Sequence, residues 1–242
     1  MPVPIIKMMN KIIILLIIAA FTATDLFSQT ILLEKDLNES VYVKKKGPNK
    51  KRFFHLYYDY SFYAPQAGTS LYNKELSYRN YIGGRNNFRI TNNYVMGLGL
   101  EFGWETFRVE QTSQKTFPSA EKHKKEFLST TNIGLEYFNR LLISQRENSL
   151  GVWIDAGIYG NLNLGSRHVI KDKADPSEQV RYHKVINKGL EYVNPFEYGL
   201  KGRLGYKRYA ITGTYRISDW MKESNSQVEP PRLSVGLELG LY

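Results

Sequence analysis

Histidine and serine are the residues that could supply a nucleophile and its base in this sequence. The chain has four histidines, His55, His123, His168 and His183, and no cysteine, which excludes thiolate chemistry and disulfide bonds. Ser166 precedes His168 by two residues, but this reverses the usual His-x-Ser order, and no acid is placed in the same strand to orient the imidazole. We therefore interpret Ser166 and His168 as polar loop residues and expect no catalysis.

A metal site would need two or more histidines or carboxylates that converge on one point. Only separate loops could bring His123 and His183 together, and no ligand spacing in the sequence supports that arrangement. We therefore expect no metal and no cofactor.

The largest set of candidate functional residues is charged and alternates with apolar residues. In the segment around Gly97 to Glu101, for example, aliphatic residues occupy every second position, with Gly and Glu between them. If the charged face points into a lumen, acids and bases can pair across it, as buried charges require, and can fix the strand register. An ion path or a gated plug is the alternative. The predicted lumen charge network contains Asp59, Arg79, Arg85, Arg89, Glu101, Glu105, Glu136, Asp155, Glu197, Lys201, Arg203, Arg216 and Glu238.

The same alternation runs through eight segments of the chain. It is clear at the end, Leu233 to Tyr242, where five aliphatic residues alternate with Ser, Gly and Glu. A period of two predicts β-strands, and long and short connections alternate between them as in an up-and-down meander. The predicted strands are 53–63, 76–90, 94–109, 127–140, 150–164, 193–206, 209–217 and 233–242, and the longest polar connection is 165–188.

An apolar face and a charged, glycine-containing face must both be accommodated. A closed barrel with its apolar face toward lipid does so and leaves no open strand edge. We predict an all-β protein, an eight-stranded antiparallel up-and-down transmembrane β-barrel, with ten strands as the alternative. A lumen of this size is filled by side chains, so we expect a plugged barrel. A secreted soluble ligand-binding barrel, with its apolar residues inside, is a second alternative.

The N-terminal region reads as an export signal. An apolar run of about ten residues, Ile12 to Phe21, follows Lys7 and Lys11 and precedes small and polar residues. This length is too short for a transmembrane helix and is typical of a signal peptide. We predict a signal peptide over 1–28, a periplasmic extension over 29–51 and the barrel over 52–242.

The predicted long loops are basic, in a chain whose formal net charge is +10. On the outer surface they would face the phosphates of lipopolysaccharide. Nucleic acid is a poor partner for an exported chain. The predicted lipopolysaccharide-facing residues are Lys122, Lys124, Lys125, Arg167, Lys171, Lys173, Arg181 and Lys184.

The predicted signal, the Gly-x-Gly-x-Glu segment Gly97 to Glu101 and the terminal strand Ser234 to Tyr242 resemble the porin-like outer-membrane β-barrel domain family abundant in Bacteroidota. The resemblance covers roughly residues 52–242. The last strand is also similar to the signal that the barrel-assembly machinery reads, which implies that machinery as a partner. Some family members assist protein secretion, so a further protein partner is implied by analogy.

Together these observations predict a Gram-negative outer-membrane protein with both termini in the periplasm. Its expected role is structural, adhesive or secretion-accessory, without catalysis. A lipid-modifying outer-membrane enzyme is the alternative from another functional class.

Overall fold

The computed structural model describes residues 47–64, 71–113, 115, 117–146, 149–174, 182–222 and 229–241. The predicted signal peptide, most of the predicted extension, Arg181 and Tyr242 lie outside these residues. No helix in the described ranges is long and apolar enough to cross a membrane.

The described chain is almost entirely β-strand. A single turn of 3-10 helix at Gly47–Asn49 precedes the first strand. The strands are β1 Arg52–Tyr63, β2 Tyr72–Arg89, β3 Tyr94–Val109, β4 Lys125–Leu142, β5 Gln145–Arg146, β6 Ser149–Leu150, β7 Val152–Lys173, β8 Tyr182–Lys188, β9 Phe196–Tyr206, β10 Tyr209–Arg216 and β11 Leu233–Leu241.

Eight of these strands close into a ring. The order is β1, β2, β3, β4, β7, β9, β10 and β11, with antiparallel pairing throughout, and β11 returns to pair with β1. Leu56 lies opposite Leu241, and Tyr63 lies opposite Ser234, so the last strand leaves no open edge. The all-β, eight-stranded antiparallel fold predicted from the alternation is confirmed, and the described ring has eight members rather than ten.

The two faces of the ring differ sharply in chemistry. Along β9, exposed and buried residues alternate without interruption. Outward aliphatic side chains such as Leu135 and Leu237 are 67% and 68% exposed, whereas Arg85 and Tyr57 on the inward face are fully buried. The ring is therefore apolar outside and polar inside, the reverse of a soluble barrel.

The two ends of the ring also differ. The described residues 90–93, 143–146, 149–151 and 207–208 lie between ring strands at one end, which we call the short-turn end. In the last of these turns Lys207 adopts a left-handed conformation, with φ of 53°. Arg52 and Leu241 lie at this end. The longer connections lie at the opposite end, which we call the long-loop end, and their described residues include 110–113, 117–124, 217–222 and 229–232.

The prediction of a polar connection over 165–188 is wrong for most of its length. β7 continues to Lys173 and pairs with β8, from Arg167 opposite Lys188 to Lys173 opposite Tyr182. β8 pairs with β7 alone, and its residues are all exposed. Because neither face of β8 is covered, its sequence shows no apolar alternation, and the period that identifies the other strands is absent.

Candidate functional site: the charged lumen and the long-loop end

The structure places twelve of the thirteen predicted lumen charges in the interior of the ring. Their exposed fractions range from 0% for Arg85 to 7% for Glu197. Arg89 is the exception, because it is half-buried at the short-turn end, where its Nη1 donates to the carbonyl of Asn92 at 2.8 Å. A further buried cation, Arg140, was missed, although it has the inward parity of the fourth predicted strand. These twelve residues and Arg140 comprise seven carboxylates and six Arg or Lys side chains.

Near the short-turn end the charges form a continuous chain of alternating sign. Arg140 donates two hydrogen bonds to Asp155, at 2.7 and 2.8 Å. Arg203 bridges onward, with Nε 3.1 Å from Asp155 and Nη1 3.2 Å from Glu136. Its Nη2 also bonds Glu136. Bidentate guanidinium–carboxylate pairs fix geometry as well as charge, so this chain joins β4, β7 and β9 across the lumen.

Arg85 continues the chain toward the strand that closes the ring. Its Nη1 and Nη2 lie 2.5 and 2.6 Å from the two carboxylate oxygens of Glu238 on β11. Its Nε lies 3.4 Å from Glu136. The guanidinium also stacks on the ring of Tyr57, 3.5 Å from its centroid, a favourable cation–π contact. Ring closure is therefore supported from inside by a β2–β11 ion pair.

Toward the long-loop end, tyrosine hydroxyl groups donate many of the hydrogen bonds to the buried carboxylates. Lys201 and the Tyr57 hydroxyl donate to the same Glu101 oxygen, at 2.8 and 2.7 Å. Glu105 accepts from the hydroxyls of Tyr63 and Tyr81, at 2.7 and 3.0 Å. Neutral hydroxyl donors let buried carboxylates be satisfied without one cation for each.

Arg79 is held less tightly than the other cations. Its guanidinium lies 3.8 Å from both Glu101 and Glu105 and stacks on Tyr81, 4.5 Å from the ring centroid. Asn161 donates to Glu197 at 2.6 Å.

Two more predicted charges complete the lumen. Asp59 accepts from Ser61 at 2.7 Å. Arg216 pairs with Glu229 at 3.0 Å, and Glu229 also accepts from the backbone N–H of Trp220 at 2.6 Å. This last pair ties the 217–232 connection to the ring.

Several inward glycines make room for aromatic rings more than for charged side chains. A Cβ on Gly97 would lie 2.1 Å from the Phe138 ring, and one on Gly205 would lie 2.1 Å from Trp153. Gly99 and Gly134 lie beside long charged side chains, with Arg85 3.4 Å from a Cβ on Gly99 and Glu101 3.1 Å from one on Gly134.

Apolar clusters close both ends of the charged lumen. At the short-turn end the cluster consists of Val95, Leu142, Leu150, Trp153 and Ala210. At the long-loop end the Phe107 ring packs against Tyr63, 4.7 Å away, and Trp220, 5.4 Å away. The buried members there are Tyr63, Tyr72, Phe107, Val109, Leu128, Val193, Trp220 and Met221.

Beyond this cluster, Glu126 anchors the connection between β3 and β4. Its side chain is fully buried and bonds His168 at 2.7 Å and Gln111 at 2.9 Å, and it forms an ion pair with Lys115. Burial alone would raise the pKa of the Glu126 carboxyl, but hydrogen bonds from His168, Lys115 and Gln111 outweigh it and lower the pKa to about 2. Burial, with the Glu126 charge nearby, raises the pKa of Tyr192 to about 12.

The same connection brings a serine, a histidine and an aspartate together. His123 Nδ1 lies 2.8 Å from Asp172 Oδ2, and His123 Nε2 lies 3.5 Å from Ser119 Oγ. The backbone N–H of Lys124 donates to the other Asp172 oxygen at 2.9 Å. Slight burial opposes ionisation of Asp172, but the Lys124 and His123 bonds outweigh it and lower its pKa.

Ser166 and His168 are not the loop residues that the sequence predicts. Both are buried on β7. Ser166 Oγ accepts from the backbone N–H of Leu190 at 2.8 Å, and His168 bonds Glu126. Among the described residues, no hydrogen bond joins Ser166 to His168. His183 likewise lies on β8, opposite Asp172.

The predicted lipopolysaccharide-facing cations that the structure describes lie at the long-loop end. Only Lys122 and Lys124 lie in a loop, because the others in the described chain extend along strands β4, β7 and β8. Lys171 is partly buried. The exposed members are Lys122, Lys124, Lys125, Arg167, Lys173 and Lys184.

Within the described residues, no three His, Asp or Glu side chains are arranged to hold a metal ion. Glu126 and Glu229 were missed as buried acids, and their partners His168 and Arg216 lie 42 and 13 residues away along the chain. Only the three-dimensional fold brings these pairs together. No protein-family model matches the chain, and no curated protein is significantly similar to it in sequence.

Proposed function

We propose that this protein is a sealed outer-membrane β-barrel with a structural, adhesive or secretion-accessory role, in which the lumen carries out no catalysis. The observation that carries the proposal is the distribution of side chains: apolar residues cover the outside of a closed ring, and paired charges fill the inside. In a bilayer this arrangement satisfies backbone groups through the closed ladder and side-chain charges through each other.

The packing of the lumen favours this proposal over a ligand carrier or a pore. Ion pairs run across the interior, and apolar clusters lie at both ends. A soluble carrier would need an apolar cavity inside and a polar wall outside. A diffusion pore would need a continuous wet path, which the paired side chains fill.

The topology supports the proposed orientation. Arg52 and Leu241 lie at the short-turn end, as expected for the periplasmic side. The exposed Lys and Arg residues of β4, β7 and β8 lie at the long-loop end. There the exposed Lys and Arg side chains would contact lipopolysaccharide phosphates. On the periplasmic side, β11 would be the segment that the barrel-assembly machinery reads.

Single-cysteine spin labels test the proposal directly, because the native chain has no cysteine. Leu98, 57% exposed on β3, and Ile186, 41% exposed on β8, form a matched pair of exposed aliphatic residues, one on the ring and one outside it. In liposomes, a label at Leu98→Cys should be relaxed by oxygen and shielded from a water-soluble nickel complex. A label at Ile186→Cys should show the reverse.

Equal access of the nickel complex to both labels would overturn the membrane proposal. Release of the protein from membranes by alkaline wash would overturn it independently. Planar-bilayer recordings test the sealed lumen, and steady conductance steps in the folded protein would contradict it.

A further inference from the structure

We propose that Ser119, His123 and Asp172 form a serine-hydrolase site at the long-loop end, acting on short-chain carboxylic esters of water-soluble, anionic molecules. This inference goes beyond the proposed structural role and departs from the non-enzymatic expectation drawn from the sequence. It concerns residues that the lumen network does not use.

The geometry has the order that nucleophilic catalysis requires. With Nδ1–H donating to Asp172 at 2.8 Å, the Nε2 atom of His123 faces the Ser119 hydroxyl at 3.5 Å as an acceptor. A base within reach of a nucleophile, and itself oriented by a third group, defines such a site. Ser–base distances in unliganded enzymes are commonly longer than in the substrate complex.

His123 and Asp172 are each held in place by a further contact. The backbone N–H of His123 donates to Gln111 Oε1 at 2.8 Å, and Gln111 is itself held by the buried Glu126. The backbone N–H of Lys124 holds Asp172 at 2.9 Å. The site is nevertheless accessible, since Ser119 is only partly buried and the Asp172 side chain is 40% exposed.

The position of the site selects a water-soluble substrate. Asp172 lies eight residues beyond Leu164, the last exposed aliphatic residue of β7 before the basic extension. At roughly 3.3 Å per residue this is about 26 Å along the strand. Given the proposed membrane orientation, bilayer acyl chains do not reach Ser119, whereas surface glycans and small esters do.

The charge around the site selects for negative substrates. Lys122 and Lys124 flank His123 in the loop, and both are exposed. Lys125 and Lys173 project from the adjoining strands and are also exposed. Such a cationic surface raises the local concentration of anionic molecules and weakens with salt.

The reaction needs water as its only co-reactant. Ser119 Oγ attacks the ester carbonyl carbon as its proton passes to His123 Nε2, and Asp172 stabilises the imidazolium. Collapse of the tetrahedral adduct breaks the ester C–O bond, and His123 returns the proton to the departing alcohol. Water then attacks the acyl-serine through the same base, which releases the carboxylic acid and restores Ser119.

Labelling with a fluorophosphonate probe tests the site in the full-length protein, folded in detergent. We expect the probe to modify Ser119, as located by peptide mass spectrometry. Ser119→Ala should abolish this labelling, and His123→Ala should slow it by about 10²–10⁴-fold, the usual contribution of a general base. Ser166→Ala is the matched serine control and should label at the native rate.

Hydrolysis assays test the substrate class. The native protein should hydrolyse p-nitrophenyl acetate faster than p-nitrophenyl palmitate. It should also deacetylate an O-acetylated anionic polysaccharide faster than a neutral one. Both activities should require Ser119. Heat-modifiable gel mobility verifies that each variant is folded. The inference would be overturned if the probe labelled Ser119 no faster than other serines of the protein. It would also be overturned if the folded His123→Ala variant were labelled at the native rate. Because labelling is done in detergent, its failure leaves the membrane proposal intact.

Discussion

Replacing Asp155 by Asn measures how firmly the lumen charges depend on one another. Asp155 is 2% exposed and accepts two hydrogen bonds from Arg140 and one, at 3.1 Å, from Arg203. The substitution keeps the side-chain shape and removes the charge. Arg203 still has Glu136, but Arg140 loses the one carboxylate that it contacts in the described part of the chain.

The expected loss follows from leaving a buried cation without its counter-ion. Removing one partner of a buried ion pair typically costs about 3–5 kcal/mol. We expect Asp155→Asn to lie near the lower limit, because Arg140 also stacks on Trp153, 3.9 Å from the ring centroid. Adding Arg140→Met removes the stranded charge and should recover about 2 kcal/mol, a coupling in the range found for contacting residues.

Equilibrium urea unfolding in lipid vesicles, followed by tryptophan fluorescence and gel mobility, supplies the free energies of unfolding. Asp219→Asn is the matched control, because Asp219 pairs with Arg232 where the two side chains are 44% and 23% exposed. Such a surface pair should contribute below about 1 kcal/mol. Equal costs for the two Asp→Asn changes would refute the reasoning, since they would show that water screens the lumen as it does the surface.

Three further changes probe the wall, the lumen packing and the long-loop end. Leu135→Arg places a charge at a 67% exposed site near the middle of β4 and should lower the free energy of unfolding in vesicles by about 2–4 kcal/mol. The control, Ile186→Arg on β8, should change it by less than about 0.5 kcal/mol. Similar costs for the two variants would contradict a lipid-facing wall. Gly97→Val pushes a side chain into the Phe138 ring and should cost about 1–3 kcal/mol by overpacking, with partial recovery on adding Phe138→Leu; no recovery would contradict this contact. The pKa of Glu126 is lowered from 4.5 to about 2, so the stability that its ionised carboxylate contributes is complete above pH 4.5 and is lost as the pH falls toward 2. Pepsin cleavage of the β3–β4 connection should therefore increase over that interval. A Glu126→Gln variant that resists pepsin as well as the native protein at pH 4.5 would contradict this role of Glu126.

The strand pattern was predictable because one physical rule repeats along the ring. Every ring strand separates an apolar face from a polar one, and the third predicted strand, 94–109, matches β3 at both ends. β8 was missed because its residues are exposed on both faces. The β7 extension was missed because polar residues such as Ser166 and His168 occupy its buried positions, so it shows no apolar alternation. Parity along a strand therefore identifies which side chains point inward, but only where the two faces differ in environment.

Partners across the lumen and at the long-loop end were beyond the reach of the sequence. Parity gives Arg85 and Glu238 the same inward direction, yet they are 153 residues apart, and nothing local selects this pair over other acids. Likewise, Ser119 and His123 are close in sequence, but Asp172 lies 49 residues from His123 and joins them only through the β4–β7 pairing. A search restricted to Ser and His two residues apart finds Ser166, whose hydroxyl is engaged by Leu190.

The structure separates stability from exposed chemistry along the ring axis. The lumen charges are nearly balanced, most of them are paired and apolar clusters lie at both ends of the lumen, so changing one of them acts first on folding. At the long-loop end, Glu126 contacts residues of the β3–β4 connection, while Ser119 and Asp172 are partly exposed. A substitution at Ser119 should therefore alter reactivity without altering the unfolding midpoint, and one at Asp155 should do the opposite. Variants that changed both properties together would show that the two regions are energetically coupled.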